Sequence, residues 1–322
     1  MSVHPEVIRI ARDIRTMKVR GAGRIARSAA GALKIAARSS KAKTPSEFKR
    51  EMDNVSRTLL KTRPTAVSLP NAIRFVSLPI ETMKSAGVEE LRKAVMRRAD
   101  DFIRNSLHAV KFIGETGARK IRNGDAILTH CNSECALSVI KTAHLQRKSI
   151  HVFATESRPR RQGFITIRYL TSNKIPCTLI VDSAVRFFMK HIDRVVVGAD
   201  VIMANGTLVN KIGTSQIALA AHEAGVPFTV AAETYKLHPG SASIDEITIE
   251  ERDPSEVVDP AKFPGATIRN PAFDITPPKY IETIITEMGE VTPNKVKSLI
   301  DRVFSWGTEK APVLALNDSE ET

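Results

Sequence analysis

Apolar positions recur at three-to-four spacing through the first 120 residues, and this period predicts helices over residues 5–17, 23–38, 45–60 and 88–122. In the last of these, Leu91, Val95, Ile103, Leu107, Val110 and Ile121 form one broad stripe, the face with which a helix packs on its neighbours. Thr44-Pro45-Ser46-Glu47 is a strong start signal: Thr44 supplies the N-cap oxygen, Pro45 brings a preset φ to the first helical position, and Glu47 closes a capping box. From Gly124 the period changes. Short apolar runs at residues 126–130, 149–154, 177–181, 194–197 and 228–231 predict strands, separated by amphipathic segments at 133–147, 163–173, 184–190 and 214–223. Strands alternating with helices build a parallel sheet covered on both faces. The expected fold class is α/β: an all-helical N-terminal domain over residues 1–122, then a Rossmann-like, doubly wound parallel sheet over residues 123–322.

This topology also predicts where chemistry belongs, because ligands of doubly wound sheets bind beyond the carboxyl ends of the strands. His130-Cys131-Asn132, Thr155-Glu156-Ser157-Arg158, Asp182 and Gly198-Ala199-Asp200 all follow predicted strands and point toward one crevice.

Composition excludes several classes. Apolar residues are 42% and charged residues 26% of the 322, the mixture of a globular protein rather than a disordered one. No apolar run approaches the roughly 20 residues of a membrane helix, and residues 1–40 lack a signal-peptide core, so a cytoplasmic protein without a membrane role is expected. Three cysteines, Cys131, Cys135 and Cys177, argue against a disulfide framework in so long a chain. The net charge of +13 is concentrated in residues 1–70, which hold 16 Lys or Arg against 5 Asp or Glu. Such a field steers any polyanion, RNA or a small bisphosphate alike, and a solvated helical face explains many of the charges equally well. With three Tyr, one Trp and no aromatic cluster among the basic residues, a base-stacking platform is not expected, which argues against nucleic acid as the partner.

Individual motifs are ambiguous alone. Gly21-Ala22-Gly23 opens a G-x-G-x-x-A pattern, but it follows a helix rather than a strand, so it reads as a glycine turn whose backbone N–H groups face an anion beside Arg20, or as a plain interhelical turn. Cys131 and Cys135 have no fourth ligand or second paired motif to make a zinc site, and neither metal nor cofactor is expected. Cys131, at a strand end just before a helix N-terminus, is placed where the helix dipole favours thiolate; the plain alternative is an inert core thiol, which suits the sulfurs of Cys135 and Cys177 better. Asp200, after Val195-Val196-Val197, belongs at a strand exit, because burying the carboxylate within the sheet is costly. Asn205-Gly206 reads as a tight turn and Asn210-Lys211-Ile212-Gly213-Thr214 as the polar entrance to a helix, with Lys211 suited to phosphate or a sugar hydroxyl.

Taken in order, Thr129-His130-Cys131-Asn132, Thr155-Glu156-Ser157-Arg158-Pro159, Val197-Gly198-Ala199-Asp200, Asn205-Gly206, Asn210-Lys211-Ile212-Gly213-Thr214 and Asn270-Pro271-Ala272-Phe273-Asp274 resemble the superfamily that unites methylthioribose-1-phosphate isomerase, archaeal ribose 1,5-bisphosphate isomerase and the regulatory subunits of translation initiation factor 2B. The resemblance implies a helical domain followed by a Rossmann-like domain. Isomerases of the superfamily carry Cys in the T-H-C-N string and Asp in G-A-D, where regulatory subunits typically carry other residues, and this chain has both. Ala232-Glu233-Thr234-Tyr235-Lys236, Arg20-Gly21-Ala22-Gly23 and Arg63-Pro64-Thr65 look like the ribose-bisphosphate branch, which acts in nucleoside monophosphate breakdown.

The resemblance implies Cys131 and Asp200 as the catalytic pair, the thiolate as base and a protonated Asp200 in a mostly apolar crevice as acid. It implies that Arg20, Gly21, Ala22, Gly23 and Arg63 hold one end of a sugar bisphosphate, with Ser133, Glu134, Cys135, Asn210, Lys211 and Lys236 completing the ring of contacts, Glu134 through its backbone. It also implies a homo-oligomer, dimer or hexamer. The alternatives are methylthioribose-1-phosphate isomerase and a non-enzymatic regulatory subunit.

Overall fold

The structure, a computed structural model, describes residues 3–63, 67–240 and 249–304. It divides into two compact units, Met1–Ala109 and Val110–Thr322.

The first unit is helical: α1 (Pro5–Arg15), α2 (Ala22–Ser39), α3 (Pro45–Leu60), α4 (Ser68–Thr82) and the first part of α5 (Val88–Ala118). The capping box forms as the sequence requires, with Thr44 accepting from the Glu47 amide, and α3 runs over the expected residues. Alanines at 26, 29, 30, 32, 36 and 37 are buried along α2, and their small side chains let α1, α3 and α4 pack closely against it. Helix α4 is absent from the sequence expectation because Pro70 and Pro79 interrupt its pattern. Pro70 falls in the first turn, where no amide partner is needed, and burial of Leu69, Ile73 and Val76 offsets the bond lost at Pro79.

In the second unit a seven-stranded sheet has the order β10-β9-β7-β4-β1-β2-β3, formed by β1 (Ala126–Thr129), β2 (His151–Thr155), β3 (Cys177–Ile180), β4 (Arg194–Val197), β7 (Phe228–Ala231), β9 (Thr283–Thr286) and β10 (Gly289–Val291). Six strands are parallel and β10 pairs antiparallel with β9. Helices α6 (Glu134–Leu145), α7 (Gly163–Ser172), α8 (Val185–Phe188), α9 (Thr214–Glu223) and α10 (Val296–Val303) complete the unit. Alternate strand residues enter opposite cores. Ile127, Val196, Ala231 and Ile285 pack with α6, while Leu128, Val195, Val197, Val230 and Ile284 pack with α9 and α10.

The structure departs from expectation in three places. The segment 184–190 is a single α-turn, α8, between two 3₁₀ turns. The sheet has two further strands, β9 and β10, beyond the five expected. A separate antiparallel sheet, β5-β6-β8, is built from β5 (Val201–Ile202), β6 (Leu208–Lys211) and β8 (Phe273–Thr276). Asn205-Gly206 turns β5 into β6, with the Met203 amide bonded to the Thr207 carbonyl at 2.9 Å. Asn210 and Lys211, expected in a helix entrance, end strand β6.

In chain order the parallel strands read 3-2-1-4-5-6, so the strand order reverses between β1 and β4. Cys131 leaves β1 and Asp200 leaves β4, both at the carboxyl side of that reversal, where doubly wound sheets open a crevice.

Candidate active site

Cys131 has φ 63°, a left-handed conformation that non-glycine residues adopt rarely and at a cost. Its surroundings over-determine it. The Cys131 amide donates to Ser157 Oγ at 2.8 Å, and Thr166 Oγ1 donates to the Cys131 carbonyl at 2.6 Å while accepting from Asn132 Nδ2 at 3.0 Å. Ser157, itself at φ 59°, is held by Asp182, whose carboxylate accepts from the amides of Ser157 and Arg158 at 2.8 and 2.7 Å. Asp182 therefore shapes the loop after β2.

Gly198 is a matter of space. A Cβ there would lie 2.4 Å from Ser133 Oγ, so only glycine lets the start of α6 lie over the end of β4. Ser133 is the N-cap of that helix, accepting from the Ala136 amide at 3.3 Å, and Glu134 is its first residue.

Lys211 reaches the pair from the small sheet. Its Nζ donates to the Ala272 carbonyl at 2.9 Å and lies over the Phe273 ring. Burial lowers the Lys211 pKa, while the charges of Cys131 and Asp200 act in the opposite direction, so the three groups interact. Asn210 is buried and donates to Thr214 Oγ1 at 3.1 Å, which fixes the entrance to α9.

Burial pushes the Cys131 thiol up to about 11, and the Asp200 charge adds to it, against lowering by Lys211. The resting group is a thiol. The helix-dipole expectation of a thiolate is thus reversed in direction, since desolvation outweighs the lowering by Lys211. The mostly apolar crevice expected around Asp200 is also revised: Lys211 and Lys236 both feel its charge.

Lys236 is buried and its ammonium is 2.8 Å from Glu233, whose other oxygen accepts from Tyr235 Oη at 2.7 Å. Burial opposes both charges, and the pairing overcomes it, driving Glu233 down to about 2 and raising Lys236. Cys135 lies buried beside Glu233, its thiol pushed well above the ordinary range by burial and then by that carboxylate.

The remaining expected residues lie in the helical unit. Gly21, at φ 85°, is the N-cap of α2, which begins at Ala22 and Gly23. Met17 joins the two arginines: its carbonyl accepts from Arg20 Nε at 2.6 Å and its sulfur lies 2.6 Å from Arg63 Nη1. Arg20, Lys18, Arg24 and Arg27 line a cavity of about 410 Å³. Pro64 and Thr65 lie outside the described residues.

Sequence reasoning missed three supports. Glu233 was visible only as part of a string, with its (i, i+3) spacing to Lys236 as the signal. Asp274 caps α9, its Oδ2 accepting from the amides of Gly213 at 2.7 Å and Ser215 at 3.0 Å, and burial raises its pKa to about 6. His130 is the third: it is 2% exposed and hydrogen-bonded at both ring nitrogens.

Among the described residues no helix is long and apolar enough to cross a membrane. The ribose 1,5-bisphosphate isomerase of Methanocaldococcus jannaschii is 53% identical over 91% of this chain and 94% of its own. The methylthioribose-1-phosphate isomerase of Geobacter sulfurreducens is 41% identical over 90% and 88%. Among solved structures, a translation initiation factor eIF-2B from Pyrococcus horikoshii OT3 superposes with a TM-score of 0.79 at 33% identity, covering 91% of this chain and 98% of that one. Residues 18–293 match the initiation factor 2 subunit family, and the chain belongs to that family.

Proposed function

We propose that the protein is an aldose–ketose isomerase converting ribose 1,5-bisphosphate into ribulose 1,5-bisphosphate, with Cys131 and Asp200 as the proton-transfer pair. The observation that carries this reading is the 53% identity to an isomerase of that name over nearly both whole chains, against 41% to the methylthioribose enzyme. The thiol–carboxylate–lysine group at the strand reversal supports it.

A C1 phosphate closes the sugar as a ring, so an acid must first protonate the ring oxygen. In the resting pair the thiol holds a proton. Passing it to Asp200 creates base and acid together at no change in net charge, and the Lys211 ammonium offsets the thiolate. Asp200 then protonates the ring oxygen as its bond to C1 breaks, and Cys131 removes the C2 proton, leaving a C1–C2 phosphoenol. Cys131 returns that proton to C1, while Asp200 takes the proton of the C2 hydroxyl as the ketone forms. Hydrogen moves from C2 to C1, the pair leaves the last step as thiolate and acid, and return of the Asp200 proton to Cys131 restores the resting pair, so no external oxidant or reductant enters the balance.

Arg20, the Gly21-Ala22-Gly23 turn and Arg63 hold one phosphate through guanidinium groups and helix N–H donors. Ser133, Glu134 and Cys135 offer backbone donors at the start of α6, and Lys211 supplies positive charge beside Cys131 and Asp200. Asn210 keeps the Lys211 strand end in register, and Lys236 keeps Glu233 neutralised beside that helix. The protein acts as a cytoplasmic homo-oligomer, which light scattering of the purified chain tests.

The assay offers ribose 1,5-bisphosphate and methylthioribose 1-phosphate separately. Ketose formation from the bisphosphate alone is the expected result. Preference for the methylthio sugar would reassign the substrate. Turnover of neither would favour the regulatory reading.

A further inference from the structure

His130 precedes the proposed catalytic cysteine and has no part in the proton transfers above, yet both its ring nitrogens are engaged in a buried position. Nε2 lies 2.8 Å from the Ile212 carbonyl, which can only accept, so Nε2 carries the hydrogen. Nδ1 is then the acceptor, 2.5 Å from Thr155 Oγ1 and 3.3 Å from Ser157 Oγ. Ser157 Oγ in turn lies 3.2 Å from Thr155 Oγ1 and accepts the Cys131 amide. One end of the imidazole thus ties to the hydroxyl pair that clamps Cys131. The other ties to the carbonyl of Ile212, the residue immediately after Lys211. The ring also lies against Gly213, φ 101°, where an added Cβ would be 3.2 Å from Cε1. Burial lowers the His130 pKa to about 4, so the ring stays neutral in the tautomer these partners require.

We propose that His130 is a positioning residue: a neutral imidazole strut that fixes the Cys131 loop against the Lys211–Gly213 loop, so that thiol and ammonium keep one spacing through the reaction. This rests on the isomerase reading of the same site. The one ring hydrogen-bonds both the hydroxyl pair at 155 and 157 and the Ile212 carbonyl, so its loss removes this tie between the loops. The effect belongs in the transition state, where the thiolate needs Lys211, more than in ground-state binding.

The test compares His130→Phe, which keeps a ring without hydrogen bonds, with His130→Gln, which keeps a donor able to reach the Ile212 carbonyl. For ribose 1,5-bisphosphate, kcat of His130→Phe is expected to fall about 100-fold, with KM changing by less than about threefold, and His130→Gln to recover about tenfold of the loss. Should the phenylalanine variant fail to fold, Thr155→Val, which removes the hydroxyl beside Nδ1, is expected to lower kcat in the same direction by about tenfold. A folded His130→Phe whose kcat stays within threefold of the native value overturns the proposal and leaves the isomerase reading intact. Nitrogen-15 spectra of the native chain give a readout independent of turnover. A neutral, Nε2-protonated His130 from pH 8 to pH 5 is expected, and a cationic or Nδ1-protonated ring overturns the strut even if the chain turns over neither substrate.

Discussion

Beyond the ends of β1 and β4, Cys131, Asp200 and Lys211 act on one another's charge. Glu233 and Lys236, beyond β7, together with Cys135 of α6, repeat a thiol, a carboxylate and a lysine in a different arrangement. In the second group lysine and carboxylate meet at 2.8 Å and a tyrosine hydroxyl takes the other oxygen, so the charges consume each other. In the first, the lysine bonds a neutral carbonyl and its charge remains for the thiol and for an incoming phosphate. The Cys131 thiol also sits on a strained, partly accessible turn, whereas Cys135 lies inside a helix and 1% exposed. Residue types alone do not separate the two groups; the partner each lysine has taken does.

Breaking the second group has the largest expected effect. Glu233→Gln leaves the Lys236 ammonium buried without its counter-charge, which costs about 3–5 kcal/mol, measurable as a fall in urea midpoint. Combining it with Lys236→Met recovers most of that loss, since the cost comes from an unpaired charge.

Acid separates the two groups next. Glu233 stays ionised down to about pH 2, so its pair persists, whereas the strut of the first group is an imidazole. The unfolded chain protonates His130 near its ordinary 6.5 and the native chain only near 4, so the unfolded state binds more protons between these values. This contribution is fully present above pH 6.5 and declines by about 3 kcal/mol as pH falls to 4. Urea midpoints of the native chain and His130→Gln, taken at pH 7 and 4.5, should therefore converge toward the acid end; parallel curves would refute the assignment.

A smaller effect sharpens the geometry of the first group. Gly198→Ala forces Ser133 and the start of α6 away from β4, and displacement of order 1 Å at a reacting centre costs about 100-fold in kcat/KM. The smallest effect concerns thiol ionisation. Because burial holds Cys131 near 11, its alkylation by iodoacetamide, followed on its peptide by mass spectrometry, should rise about tenfold per pH unit from 7 to 9 without levelling. A plateau below pH 8 would mean a resting thiolate.

Much of the frame is legible in the residues themselves. The capping box at Thr44 and the valine run before Gly198 set α3 and β4 locally, and both form over the expected spans. The small sheet is not legible. Its β5 is two residues long, β6 ends in Asn210-Lys211, which looks like loop, and β8 joins from some sixty residues away. Strand exits indicate where Cys131 and Asp200 emerge, because that depends on pattern and topology. Ionisation is hidden, because it depends on how much water the folded chain removes. The pairing of Lys236 is hidden for the same reason: nothing in the string Ala232-Glu233-Thr234-Tyr235-Lys236 says that its second and fifth members meet as a buried charge pair, with the fourth, Tyr235, on the other carboxylate oxygen.

The central claim, that Cys131 and Asp200 move the protons, is tested most directly by turnover of ribose 1,5-bisphosphate by the native chain, Cys131→Ser and Asp200→Asn, each confirmed folded. The account predicts ketose formation by the native chain and a loss of at least about 1,000-fold in each variant, within the range for removing a positioned acid or base. Turnover at the native rate in either variant would contradict it.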